Sequence, residues 1–319
     1  MLLFLIKRVV VRCNYPLTIT IFRNFSTEYK TMIYAKNTIQ YECEAIQKNT
    51  EKKHLSPKKH KQTDFFIADI FNNLTFQDDI ASMEHPLFAL KAGDIKTRKY
   101  EHNNFSIVIA PNAEYGMATI HDKDIWIYCI SKLMQAIYEE KEISRTVHFT
   151  IYDYLITTNR HTSGSDYSRA KDALERLRGT SITTNIETAQ TREAHGFGLI
   201  DAWRVVEEKD GRMVRVSVTL PDWLYRSITA NQVLTISPDY FRLRKPLDRR
   251  IYELARKHCG NQKEWKIGLE LLLRKTGSSE KLKGFRQSIK SLVATNELPD
   301  YSVAYDLESD MVIFTQKSN

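Results

Sequence analysis

No stretch of the chain approaches the about 20 consecutive apolar residues that a membrane span needs. No G-x-x-x-x-G-K-[ST] loop is present to cradle phosphates, which excludes a nucleotide-powered ATPase of the P-loop type. There is no His-x-His pair, which argues against a nicking enzyme of the metal-and-tyrosine type. Cysteine is scarce: Cys13, Cys43, Cys129 and Cys259 are widely spaced. Cys129 lies in an apolar run and Cys259 ends a helical pattern, so the expectation is buried free thiols in a reducing compartment. His258-Cys259 lacks partners at zinc spacing. The lone Gly-x-Gly at Gly196-Phe197-Gly198 reads as a tight strand entry. Asp122 and Asp124 could ligate a metal, but solvent-facing carboxylates in the first turn of a helix account for them better. What remains is a protein that works by binding, with no enzyme activity, no metal and no cofactor.

What is present is positive charge on ordinary globular material. Lys and Arg number 47 against 39 Asp and Glu, a net charge of +8, which suggests a polyanionic partner. The 319 residues, 42% hydrophobic and 27% charged, suit about two domains. The N-terminus is apolar from Met1 to Ile6 and then basic at Lys7, Arg8, Arg12 and Arg23. Three readings stay open for it: an over-extended start with Met32 as the real first residue, a disordered tail, or a targeting segment. For secretion the order of charge is wrong, because the basic region follows the apolar one. Lys48 to Lys61 carries six lysines against one acid, Glu51, and reads as a disordered basic linker. Residues 1–63 are therefore expected to be a disordered tail, 64–236 a first domain with an N-terminal extension, and 237–319 a second.

The second domain has the clearest pattern. Leu247, Ile251, Leu254 and His258 lie on one face of a helix, with Pro246 suited to its first position, Asp248 in its first turn and Gly260 just past its end. Trp265 to Arg274 reads as a second helix anchored by Trp265, Ile267, Leu271 and Leu272. Ser279 is expected to cap a third, with an apolar stripe of Leu282, Phe285, Ile289 and Leu292. Opposite that stripe stand Lys283, Gln287 and Lys290, with Arg286 on the flank. Tyr301 to Tyr305 and Met311 to Thr315 close as a hairpin. Three helices and a hairpin, with charge concentrated on the third helix, predict a winged helix-turn-helix.

The preceding stretch runs in a similar order. Asp64 to Phe76 predicts a short amphipathic helix, Ser82 to Leu90 extended chain, and Phe105 to Ile109 a strand stopped by Pro111. His121 to Glu140 is apolar nearly all round, the mark of a central core helix. Phe149 to Thr157 predicts a second helix, and Ser163 caps a third carrying Tyr167, Ala170, Leu174 and Leu177. Leu199 to Val206 and Met213 to Leu220 form a hairpin across Asp210-Gly211. The anchors of the second and third helices match those of the later domain in order and offset, so the fold class expected is α+β: two tandem winged helix-turn-helix domains behind a basic tail.

Such a pair can follow one face of duplex DNA over successive grooves. On the second domain's third helix the candidate contacts are Lys281, Lys283, Arg286, Gln287 and Lys290, since Arg and Lys pair with guanine edges or phosphate and Gln with adenine. Arg242, Arg244, Lys245, Arg249 and Arg250 precede that domain's first helix as candidate backbone clamps. The first domain offers Arg160, Arg169, Lys171, Arg176 and Arg178, here offset by Asp166, Asp172 and Glu175. The later helix is the better candidate for lying against DNA, being offset by Glu280 alone. Phe65, Phe66 and Phe71 and the strand Phe105 to Ile109 lack an obvious place in a three-helix core, which predicts self-association as a homodimer through the first half.

Five blocks carry a family resemblance: Ala118 to Ile125, Thr158 to Gly164, Gly198 to Trp203, Asp222 to Arg226 and Asp239 to Arg250. With Ser82-Met83-Glu84-His85-Pro86-Leu87-Phe88 before them, they resemble, in order, the replication initiator protein A family of proteobacterial plasmids. The resemblance spans about Asp64 to Tyr301. It implies sequence-specific binding of double-stranded plasmid origin DNA, usually at repeats, with local opening and recruitment of the host replication initiator and replicative helicase. It further implies plasmid copy number control and a bacterial cytoplasmic location. A winged-helix transcriptional regulator without initiator activity is the alternative, and a nicking enzyme a distant third.

Overall fold

The computed structural model describes residues 74–102, 105–187, 192–208 and 213–317. The basic tail, Cys13, Cys43, Phe65, Phe66, Phe71 and the turn at Asp210-Gly211 lie outside the described residues. Strand β1 (Gln77–Asp79) runs into helix α1 (Ile80–Glu84), where extended chain was expected. The reason is local. Asp79 caps the helix, its side chain accepting from Ser82 N at 2.7 Å. Strands β2 (Arg98–His102) and β3 (Phe105–Ala110) follow.

Helix α2 (Lys123–Tyr138) is the core element its composition predicts, with residues 123–131, Leu133 and Met134 buried. Trp126 anchors it, donating from Nε1 to Leu199 O at 2.9 Å and packing edge-on against Phe88 and Trp223. Next come β4 (Thr146–Phe149), α3 (Ile151–Thr157), α4 (Gly164–Gly179), β5 (Ser181–Glu187), β6 (Arg192–Gly198), β7 (Ala202–Glu207) and β8 (Met213–Thr219). Asp166 at the third position of α4 accepts from Ser163 N, half of a capping box. The chain crosses through α5 (Asp222–Thr229), β9 (Val233–Thr235) and a 3-10 turn (Pro238–Arg242). It then forms α6 (Pro246–His258), β10 (Glu264–Gly268), α7 (Leu269–Thr276), α8 (Leu282–Thr295), β11 (Tyr301–Asp306) and β12 (Met311–Gln316).

Two expected helix starts are strands. Phe149 ends β4, and Trp265 and Ile267 lie in β10. In both places a short strand precedes a short helix, and the strand pairs with the last strand of the following hairpin. The sheet orders are β4–β8–β7 and β10–β12–β11, antiparallel throughout. Helix, strand, helix, helix, strand, strand thus occurs twice with the same pairing. A four-stranded antiparallel sheet, β2–β3–β5–β6, is added to the first occurrence. Ile107 and Ile109 are buried in it, so strand β3 has a place in the core after all. Strand β1 pairs with β9, fastening the N-terminal strap, residues 74–98, to the link between the two units.

Helix α8 does not begin at Ser279. Its N-cap is Lys281, whose side chain has no acceptor to offer, while Ser278 Oγ takes Glu280 N at 3.2 Å. The turn before it closes on Gly277, with φ of +68°. A Cβ there would lie 2.6 Å from Pro86 Cβ and 3.2 Å from Arg98 Nη1, so glycine is required both by the backbone and by the strap packed against it. Cys129 and Cys259 are buried free thiols. Among the described residues no helix is long and apolar enough to cross a membrane.

Candidate nucleic-acid interface

Phe285, Ile289 and Leu292 of α8 are buried, and Leu282 packs partly against the same core. Their stripe turns Lys283, Gln287 and Lys290 outward, and all three are exposed, as is Lys281. Helix α8 contains no acidic residue, and among the described residues no carboxylate lies within ion-pair distance of Lys281, Lys283 or Lys290. Glu280 is turned to Ser288, whose hydroxyl donates to it at 3.1 Å. Arg286 differs from its neighbours. It is tied to Asp310 at 3.0 Å and to Tyr305 OH at 2.9 Å.

Helix α4 has the same place in the first unit and a different electrostatic state. Arg169 pairs with Asp166 at 3.1 Å, and Lys171 with Glu207 at 3.4 Å. Arg176 grips Asp122 with two donors, Nε to Oδ2 at 2.7 Å and Nη2 to Oδ1 at 2.8 Å. Arg178 is exposed. Three of these four cations therefore already face an acid. Arg160, before α4, donates to Asp124 Oδ2 and to His121 O, each at 2.6 Å.

The two clamps expected at the start of α6 are not on the surface. Arg249 and Arg250 are each 2% exposed. Arg249 meets Asp124 of α2 at 2.5 Å and Leu243 O at 2.8 Å. Arg250 pairs with Glu253 at 3.0 Å and donates to the carbonyls of Ser82, Met83, Glu84 and Lys275. The physical reason is the helix stripe. Arg250 stands three residues after Leu247 and four before Leu254, on the buried face. Arg242 pairs with Asp239 at 2.8 Å and is mostly covered, whereas Arg244 and Lys245 are exposed.

The acids placed in solvent by the sequence are buried for a related reason. A helix apolar nearly all round has no solvent face for its first turn. Asp124 is fully buried between Arg249 and Arg160. Burial works against its ionisation, but Arg249 and Arg160 outweigh it and hold the carboxyl below the usual carboxylate range. Lys123, also fully buried, reaches Asp78 at 2.7 Å and Glu253 at 3.0 Å. Burial pushes the Asp78 carboxyl up, against the pull of Lys123. Strap, α2 and α6 thus meet in one ion-paired cluster that joins the two units. Nearby, His258, whose Nε2 lies 3.1 Å from the carboxylate, and hydrogen bonds from Lys257 and Lys275 hold the Glu84 carboxyl well below the usual range. Among the described residues no group of His, Cys, Asp and Glu is arranged to hold a metal ion.

Comparison with known proteins adds the context of relatives. Residues 77–303 match the family model described as Replication initiator protein A. The chain is 47% identical over 274 residues to a protein of Wigglesworthia glossinidia brevipalpis named "Putative replication protein", an alignment covering 84% of this chain and 99% of that one. Its fold is similar to a crystal structure of domains 2 and 3 of RctB, with a TM-score of 0.52 at 11% identity, over 75% of this chain and 97% of the other. A selenomethionine structure of the same two RctB domains gives 0.53 over 74% and 96%, also at 11% identity.

Proposed function

The chain belongs to the replication initiator protein A family, and from that premise we propose that it initiates plasmid replication by binding repeated sites in double-stranded origin DNA. The two matching units are tandem winged helices, and α8 is the principal reading helix. One observation carries this assignment: Lys281, Lys283, Gln287 and Lys290 are exposed and, among the described residues, none of the three lysines lies within ion-pair distance of a carboxylate, while most of the cations of α4 are paired within the protein. Lysines without a carboxylate can neutralise phosphate with no internal ion pair to break. Gln287 can offer a donor and an acceptor to an adenine edge. The buried cluster of Asp124, Arg249, Lys123, Asp78 and Glu253 then holds the two units at a fixed setting on the duplex. Through such binding the protein opens the origin locally and brings in the host initiator and replicative helicase. It acts without catalysis, in the bacterial cytoplasm, and its occupancy of the origin sets copy number.

Phosphate neutralisation releases condensed counterions, so affinity should fall steeply with salt. Titrating the full chain on duplex fragments tiled across the replicon that encodes it should give a log–log slope of about −0.9 per phosphate contacted. A flat slope would remove the electrostatic basis of the proposal.

A further inference from the structure

Among the described residues, Arg286 is the one cation of α8 that the fold has already engaged. Its Nε donates to Tyr305 OH at 2.9 Å, and its Nη2 lies 3.0 Å from Asp310 Oδ2 and 3.3 Å from Oδ1. Tyr305 also donates to Asp310. These hydrogen bonds, from Tyr305 first and then Arg286, hold the Asp310 carboxyl below the usual range. The backbone of Asp310 is used as well: its carbonyl accepts from Leu269 N at 3.0 Å, at the first residue of α7. With φ of 55° it sits in the left-handed region, which Asp and Asn tolerate better than most residues. A single residue in the β11–β12 turn therefore touches α7, α8 and β11 together.

The rest of that turn is unsuited to DNA. Asp306 and Glu308 are exposed and acidic, and Leu307 is 66% exposed between them. A tip with this charge repels phosphate, so the hairpin gains nothing by lying in a groove. Asp306 is turned to Ser309 and to Glu308 N within the tip, and the hairpin reaches α8 through Tyr305 and Asp310, which hold Arg286.

We infer that Asp310 is a positioning residue of the DNA-reading head, which fastens α8 to α7 and to the hairpin through Arg286 and Tyr305, and that Arg286 is a strut and not a DNA contact. The inference rests on α8 being the reading helix. It changes the composition of that site: the bases and phosphates are met by Lys281, Lys283, Gln287 and Lys290, and Arg286 sets the angle at which they arrive.

The sign of one substitution separates the strut from its rivals. Asp310→Asn keeps a residue that tolerates the left-handed backbone and removes the charge that holds Arg286. The side chains of Arg286 and Asp310 are 34% and 42% exposed, so the variant should fold. For a strut, Asp310→Asn and Arg286→Ala each weaken binding of the full chain to its protected fragment by roughly two- to tenfold, the scale of one or two hydrogen bonds. The double variant is no weaker than either single one. Discrimination between the protected sequence and single-base changes is kept, and the salt slope is unchanged, because no phosphate contact is lost. Melting temperatures measured alongside exclude a merely structural effect, which would lower stability and leave the affinity of the folded fraction unmoved. Three results overturn the inference. Tighter binding by Asp310→Asn would mean that the acid had been restraining a DNA-contacting arginine. A shallower salt slope, or loss of discrimination at one base in Arg286→Ala, would make Arg286 a contact. Wild-type protein that protects no fragment would remove the reading head itself, and is told apart because no variant is then needed.

Discussion

Replacing Asp124 with alanine should lower the unfolding free energy by about 3–5 kcal/mol, the cost of removing one partner from a buried ion pair. The size follows from what is left behind. Arg249 would keep its charge, 2% exposed, with the carbonyls of Leu243 and Phe241 and the face of Tyr240 beside it but no carboxylate within ion-pair distance among the described residues. Arg160 would lose its carboxylate at the same time. Urea unfolding measures the loss directly. Arg169→Ala, at an exposed pair, is the control and should stay within about 0.5 kcal/mol of wild type. A loss that small in Asp124→Ala as well would show that the cluster does not join the two units. The same pair predicts a pH effect. The Asp124 carboxyl is depressed in the fold, so as pH falls the unfolded chain takes up the proton first. Its contribution is whole at neutral pH and disappears as pH drops through and below the usual carboxylate range. Wild type should therefore lose more stability on acidification than Asp124→Ala.

On DNA, the largest effects should come from α8. Lys283→Ala, Gln287→Ala and Lys290→Ala remove exposed groups and leave the buried stripe of Phe285, Ile289 and Leu292 intact. A group that reads a base should cost about 1–3 kcal/mol and relax the preference at one position, whereas a phosphate contact should weaken all sequences alike. Binding to a panel of single-base variants sorts the three residues into these classes. Arg169→Ala, Lys171→Ala and Arg178→Ala should affect specificity less, and Arg176→Ala should act mainly on stability because it strips the buried Asp122 of its guanidinium partner and leaves it to the neutral donors of Thr119. Abolition of specific binding by the α4 set, with the α8 set nearly neutral, would place the reading helix in the first unit.

Periodic apolar positions made much of this architecture legible. Leu247, Ile251 and Leu254, the all-round apolar α2, and the stripes of α4 and α8 mark helices whose buried faces are as expected. The same stripes hid the strands β4 and β10. Phe149 and Ile151, or Trp265 and Ile267, fit the start of a helix as well as the end of a strand, and only pairing with β8 and β12 decides between them. The exposure of Lys283, Gln287 and Lys290 was legible for the same reason as the burial of Phe285, Ile289 and Leu292. The ion pairs were not. Arg249 finds Asp124, Lys123 finds Asp78, and Arg286 finds Asp310 across sequence distances that no local pattern spans. Charge counted along the chain overstates what is available to DNA, because it cannot subtract the cations that the fold consumes. Arg250 is the instructive exception: its place between Leu247 and Leu254 already argued for the interior.

Initiation of replication by binding repeated origin sites is what we propose for the chain. Footprinting the purified full chain on its own replicon, with a probe for unpaired bases included, tests it most directly. The expected result is an array of protected repeats beside an AT-rich stretch whose bases become reactive when the protein is bound. A single protected site at a promoter with no unpaired bases nearby, or no protection at all, would contradict it.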